Sequence, residues 1–322
     1  MTDRQRILCV GMCVLDIIHI CEKYPSEDTD KRSLTGHWQR GGNASNVCTV
    51  LRQLGAECEF LGMLSTAAAF KFLQQDCTDR NIHIENCPMC EENPPFSTVI
   101  LAENTGSRTI IHSNPGFPIL KFQHFQNLKL SNYKWIHFEG RNVTETSRMI
   151  WEVRKYKKQA RDRGEESITV SVELERLDMD LLALARIADI VILSKDMSEF
   201  LGWSTYYEAV YGMRQLLQDL QDTAKETDKK IEAIPSIVCP WGSEGCAYLR
   251  SDSSYGSFLA IPATAVVDSL GAGDTFVAGF IFAQCILNMD IRMSVDYANQ
   301  VAGFKILHRG YDMIKKFQYR KT

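Results

Sequence analysis

No block of five or six like charges occurs in the 322 residues, and the formal net charge is only −4. A nucleic-acid surface needs clustered Lys and Arg to displace counterions, so that class of partner is excluded. The chain also lacks an apolar run near the ~18 residues of a membrane span. The nearest candidate, Ile7 to Ile20, is interrupted by Asp16 and followed by no cleavage pattern, so it is read as buried strand rather than as a leader. Neither repeats nor low-complexity linkers occur, so any domain division has to come from topology. A disulfide framework is missing too. The eleven cysteines are odd in number and mostly sit in apolar segments (Cys9, Cys13, Cys48, Cys239, Cys285), the pattern of reduced thiols in a cytoplasmic protein. Cys87-Pro88-Met89-Cys90 has no second pair, which favours a loop coincidence over a zinc or redox site.

Two familiar phosphate motifs are absent as well. There is no G-x-x-x-x-G-K-[ST], and Gly271-x-Gly273 is followed by Phe276 where the third glycine of G-x-G-x-x-G belongs. A Walker-type ATPase and a dinucleotide-dependent dehydrogenase are thereby disfavoured. What remains is a chain with 45% hydrophobic residues, enough for one large α/β domain or two smaller ones. Its charge and composition point to a small-molecule partner.

The most informative stretch is V-V-D-S-L-G-A-G-D-T-F-V-A-G at 266–279. It reads as a strand end, a tight glycine turn and a helix starting near Ala272 or Gly273. The unpaired amides and partial positive charge of a helix start make such a turn an anion cradle. A carboxylate at Asp274 would repel phosphate, yet it is well placed to take a proton from a hydroxyl attacking phosphorus. The competing reading is that Asp274 merely complements the helix dipole.

A second motif, Gly41-Gly42-Asn43-Ala44-Ser45-Asn46, enters a predicted helix from Ala44 to Leu54 that stops at Gly55. Asn43 and Asn46 project from one helical face and together offer donors and acceptors to a polyhydroxylated ligand. Simple capping is the alternative. Asp16, alone among Leu15, Ile17 and Ile18, faces either a polar cavity or solvent on an edge strand. A strand at Glu57–Leu64 and a helix at Ala67–Arg80 begin the β/α alternation. Phe96–Ala102 and Arg108–Ser113 form a hairpin, and Arg108 after its turn could reach a phosphate or simply be exposed. From Trp135 the alternation is regular: strands 135–138, 168–172 and 190–193, and helices 145–163 and near 180–186. Polar residues gather at the strands' carboxyl ends: Glu139, Arg141, Glu173, Glu175, Ser194 and Lys195. A charged helix follows at Glu208–Lys230, with Lys225–Lys230 as a solvated turn. Strand Ile234–Trp241 runs into Gly242-Ser243-Glu244-Gly245, whose glycines leave room for a base or phosphate or only turn a hairpin into Cys246–Arg250. Met293–Leu307 is the last helix, Gly310-Tyr311 a turn, and basic Lys315–Thr322 a frayed tail.

With G-G-N-A-S-N at 41–46 and D-S-L-G-A-G-D-T-F at 268–276, the chain resembles the ribokinase-like (PfkB) carbohydrate kinases. Within them it resembles the ketohexokinases, which phosphorylate the C1 hydroxyl of fructose. That closer likeness rests on I-L-C-V-G at 7–11, V-L-D at 14–16, W-Q-R-G-G-N-A-S-N at 38–46, W-I-H-F-E-G-R-N at 135–142 and Q-V-A-G at 300–303. It extends over most of residues 6–312. The resemblance implies a doubly wound, mostly parallel α/β sheet flanked by helices, formed by residues 1–11, 41–92 and 116–322. A small β-sheet lid would come from 12–40 and 93–115. It further implies Asp274 as the base, with the Gly271, Ala272 and Gly273 amides stabilising the transferring phosphoryl group. Asp16, Gly42, Asn43 and Asn46 would hold the sugar, and Arg108 with Gly242, Ser243, Glu244 and Gly245 would hold ATP. Mg2+ would accompany the nucleotide without dedicated protein ligands, and K+ stimulation is implied. Lids would clasp in a homodimer, bringing the Asp28 loop toward a neighbour's sugar.

Some positions depart from the pattern. Ser107 stands where ketohexokinases place Asn, the ribokinase N-x-x-E is absent at Ser194–Met197 as it is in ketohexokinases, 208–230 is longer, and 304–307 differs near the expected adenine pocket. The alternatives are a related kinase for another sugar or a nucleoside, or a non-catalytic sensor, which would not need the base in G-A-G-D.

Overall fold

The computed structural model describes residues 6–114, 116–222, 234–262 and 265–321. Its larger sheet has eight strands in the spatial order Tyr255–Phe258, Cys246–Leu249, Ser236–Pro240, Ile190–Leu193, Thr169–Leu174, Tyr133–Glu139, Arg6–Val10, Cys58–Leu61. The first two pairings in that order are antiparallel and the other five parallel. Parallel strands are covered on both faces, which is why their sequences are apolar without alternation. Ile7 and Cys9 enter one core with helices Asn43–Leu54, Ala272–Cys285 and Ile291–Lys305. Leu8 and Val10 enter the other, with Val143–Asp162 and Tyr206–Asp222.

A second sheet of four strands, in the order Thr35–Gly41, Val14–Cys21, Phe96–Ala102, Ser107–Ser113, stands apart from the first as the lid. Residues 7–20, read as buried strand, are two strands, Arg6–Val10 in the large sheet and Val14–Cys21 in the lid. The break falls at Gly11, where a Cβ would lie 2.3 Å from Glu139 Oε2 and 2.7 Å from Ala44 Cβ. The inner lid face carries Ile18, Ile20 and Val99, which form a small cluster with Leu270 of the glycine turn.

Several expectations are corrected. The strand expected over 57–64 is Cys58–Leu61 followed by a two-residue strand, Leu64–Ser65, that pairs with Met89–Cys90. Cys87 is buried with its thiol on Phe60 O, and all eleven cysteines are free. The tail is docked rather than frayed as far as Arg320. Phe317 and Tyr319 stack on Tyr297 at 5.4 and 5.2 Å, and Gln300 accepts from the Arg320 amide at 3.1 Å while donating to Arg320 O at 2.7 Å. Two aromatic rings outweigh the basic residues that flank them. The last helix is Ile291–Lys305, capped by Asp290 accepting from the Met293 amide at 2.8 Å. Of the charged helix, Tyr206–Asp222 is observed, and the expected turn at 225–230 lies outside the described residues.

Candidate active site

The helix Ala272–Cys285 starts behind Gly271, whose φ of 71° is left-handed. A Cβ there would also strike the Tyr311 hydroxyl at 1.9 Å, so glycine is required twice over. A Cβ on Gly273 would meet nothing within 4 Å, which leaves that side of the turn open. Of the expected cradle amides, Ala272 N–H donates to Ser269 O at 3.3 Å.

Asp274 lies in the first turn and is buried. Its Oδ2 accepts from Asn46 Nδ2 at 2.8 Å, joining the two motifs that are 228 residues apart in sequence. Burial pushes its carboxyl up to about 7, opposed by the Asn46 hydrogen bond and reinforced by the charges of Glu139, Glu175 and Asp16. A carboxylate of this kind can exchange a proton with an alcohol near neutral pH. Asn43, one turn before Asn46, faces Glu173 and Glu175 instead, donating at 3.3 and 3.4 Å. Burial raises Glu173 well above the ordinary carboxylate range, with Asp274 the next cause. Glu139 accepts from the Met12 and Ala44 amides at 2.9 and 3.3 Å and pairs with Arg141. The polar strand ends at 139–141 and 173–175 thus converge on the helix start at 43–46.

Asp16 comes from the lid and is buried, which raises its carboxyl to about 6 against a hydrogen bond from Ser97. The glycines before Asn43 leave no space for side chains of their own. A Cβ on Gly41 would lie 2.1 Å from Asp16 Oδ2, and one on Gly42, at φ 94°, 2.2 Å from Met12 O. Both serve the close crossing of lid and core. Arg108 Nη1 donates to Ser269 Oγ at 3.2 Å, so the lid hairpin touches the segment that leads into the glycine turn. Gly242–Glu244 is a 3-10 turn, and a Cβ on Gly245 would lie 2.0 Å from Phe258 O, as a tight hairpin demands. Lys195 Nζ stands 5.3 Å from the Trp241 ring centroid and 3.5 Å from Glu244. Asp28 sits in an exposed loop at φ 56°.

Sequence reasoning missed Tyr311, treated as a turn residue. Its hydroxyl is buried beside Gly271 without a hydrogen-bond partner, as is Asn46 Oδ1. It also missed the buried pair of Lys305 with Asp268 at 2.8 Å. No local signal marks either, since a lysine on an amphipathic helix is ordinarily read as solvated. Among the described residues no group of three or more His, Cys, Asp or Glu could hold a metal, and no helix is long and apolar enough to cross a membrane.

The model for the pfkB family of carbohydrate kinases matches residues 4–314. Ketohexokinase of Mus musculus is 36% identical over 313 residues, which is 97% of this chain and 99% of that protein. Among solved structures, the ribokinase of Giardia lamblia superimposes with a TM-score of 0.78 at 14% identity, covering 96% of this chain and 95% of that one. The Arabidopsis thaliana ribokinase complexed with ribose and ATP does so with a TM-score of 0.73 at 19% identity, covering 98% and 99%. These two likenesses establish the ribokinase-like fold.

Proposed function

Because this chain belongs to the pfkB family of carbohydrate kinases, phosphotransferases with an alcohol acceptor, we propose that it transfers the γ-phosphoryl group of ATP to the C1 hydroxyl of fructose. The products are fructose 1-phosphate and ADP. The observation that carries the reading is the 2.8 Å bond between Asn46 and Asp274 at the head of the helix behind Gly271. In this reading it joins a base with a raised proton affinity to an amide for the sugar, beside a turn for the phosphates. The name of the mouse relative supports the choice of sugar.

In this reading Asp274 takes the proton from the acceptor hydroxyl as its oxygen attacks phosphorus. The turn 271–273 presents the Gly271 and Gly273 amides to the charge spread over the phosphoryl oxygens, the Ala272 amide being held by Ser269 O. Asn43, Asn46 and, from the lid, Asp16 bind the other sugar hydroxyls. Arg108 and the 242–245 turn serve the nucleotide side. Magnesium would accompany the nucleotide and supply charge neutralisation at its phosphates. The buried Asn46 Oδ1 and Tyr311 hydroxyl are polar atoms that a bound ligand would satisfy. We further propose a homodimer through the lids, with the Asp28 loop near the neighbour's sugar, acting in the cytoplasm.

The test follows ADP release in Mg-ATP over a panel of ketoses, aldoses and nucleosides, with the phosphorylated position assigned by NMR. The expected result is turnover with fructose and phosphate on C1. Phosphate on another carbon, or a nucleoside as the preferred acceptor, overturns the assignment. Folded protein inert toward every acceptor overturns the kinase.

A further inference from the structure

Lys305 is the most deeply buried cation near the site, and the reaction described above gives it nothing to do. Its side chain is 0% exposed, its Nζ donates to Asp268 O at 2.9 Å and it lies 2.8 Å from Asp268 Oδ2. Asp268 opens the turn that ends in Gly271 and Asp274. Its own carboxylate is fully engaged: Oδ1 accepts from the Leu270 amide and Oδ2 from the Gly310 amide, both at 2.9 Å. Ile306 O accepts from the Val267 and Asp268 amides at 2.8 and 3.1 Å. The ammonium also stands 5.6 Å from the ring centroid of Tyr311, whose hydroxyl touches Gly271. One charge therefore ties the start of the turn to the end of the last helix.

A carbonyl oxygen and a carboxylate oxygen converging within 3 Å of one point form a hard-oxygen set for a monovalent cation. Here an ammonium fills it. We propose that Lys305 is a built-in monovalent cation, a positioning residue that fixes the 268–273 turn and makes phosphoryl transfer independent of K+. The proposal rests on the kinase reading for its rate readout and on structure alone for its binding readout. It replaces the potassium stimulation that the family resemblance implies. At Asp268 the oxygens that would hold such an ion are already taken, and burying a second cation beside the first would cost repulsion in a low-dielectric site.

The experiment compares the unaltered chain, Lys305→Ala and Lys305→Met in potassium, ammonium and choline chloride at constant ionic strength. Initial rates and thermal melting are read in each salt. The unaltered chain is expected to hold its rate within about twofold and its midpoint within about 1 °C across the three salts, because the Asp268 oxygens are already taken. Lys305→Ala is expected to fall about 100-fold in choline, the order of loss for a small misplacement of the phosphoryl-binding turn. Potassium or ammonium should then recover about tenfold or more of its rate and raise its midpoint, by binding the vacated oxygens. Lys305→Met, which fills the space without charge, should show no such recovery. Potassium-specific activation or stabilisation of the unaltered chain overturns the proposal, and so does a folded Lys305→Ala indifferent to the cation. If Lys305→Ala does not fold, the unaltered chain's own salt series still decides. If no acceptor is phosphorylated in any salt, the kinase reading fails while the melting series continues to test Lys305.

Discussion

Asp274 is a carboxylate kept where ionisation is unfavourable, and that has two measurable signs. With its folded pKa raised to about 7, the base is protonated below that pH, so kcat should fall roughly tenfold per pH unit on the acid side. A pH–rate profile flat down to pH 5 would show that another group takes the proton. The stability sign is opposite to that of a salt-bridged Asp. A raised folded pKa means that the native state binds more protons than the unfolded one between the two values, so stability declines as pH rises through that window. Asp274→Asn should therefore abolish turnover by a factor of about 10³ or more. The same variant should melt higher than the parent at pH 8, by an amount on the order of 2 kcal/mol. Gly271→Ala brings a left-handed backbone and a 1.9 Å clash with Tyr311 together, so both activity and stability should drop, the latter by about 2–4 kcal/mol in denaturant unfolding.

At the level of elements, Val14–Cys21 matters most, since Asp16, Ile18 and Ile20 travel on it together. Asp16→Asn should raise KM for the sugar by about tenfold or more with a smaller change in KM for ATP. Equal effects on both would remove Asp16 from sugar recognition. The element also shows what was legible in the sequence. A parallel sheet announces itself through doubly apolar strands such as Ile7–Val10, and the helix starts at 43 and 272 through glycine followed by amide or carboxylate. Asn46 and Asp274 turn out to be hydrogen-bonded, and the charge of Asp16 acts on Asp274. What was illegible depended on partners far along the chain. Lys305 looks solvated until Asp268 is placed under it, and Tyr311 looks like turn punctuation until Gly271 is seen to make room for its hydroxyl. The tail looked frayed because its basic residues dominate locally, whereas Phe317 and Tyr319 act through Tyr297.

For the whole molecule, the lid face opposite Asp16 carries a cross-strand row in register, Trp38–Ile17–Thr98–Ile111, whose ends Trp38 and Ile111 are 54% and 56% exposed. In the proposed dimer this row meets its counterpart, so Ile111→Glu should shift sedimentation from dimer to monomer while the core fold, read by circular dichroism, is unchanged. A monomeric parent would dismiss the clasp. The crossing at Gly11, Gly41 and Gly42 has a wider bearing. Met12 O and Asp16 lie where side chains on residues 42 and 41 would stand, so lid and core cross closely, and any movement of Val14–Cys21 would carry the Asp16 carboxylate with it. In the kinase proposed above, guest selection and exclusion of solvent would then be one mechanical act. A water molecule, having no ring of hydroxyls to draw Asp16 inward, would leave the jaw ajar and the nucleotide unspent.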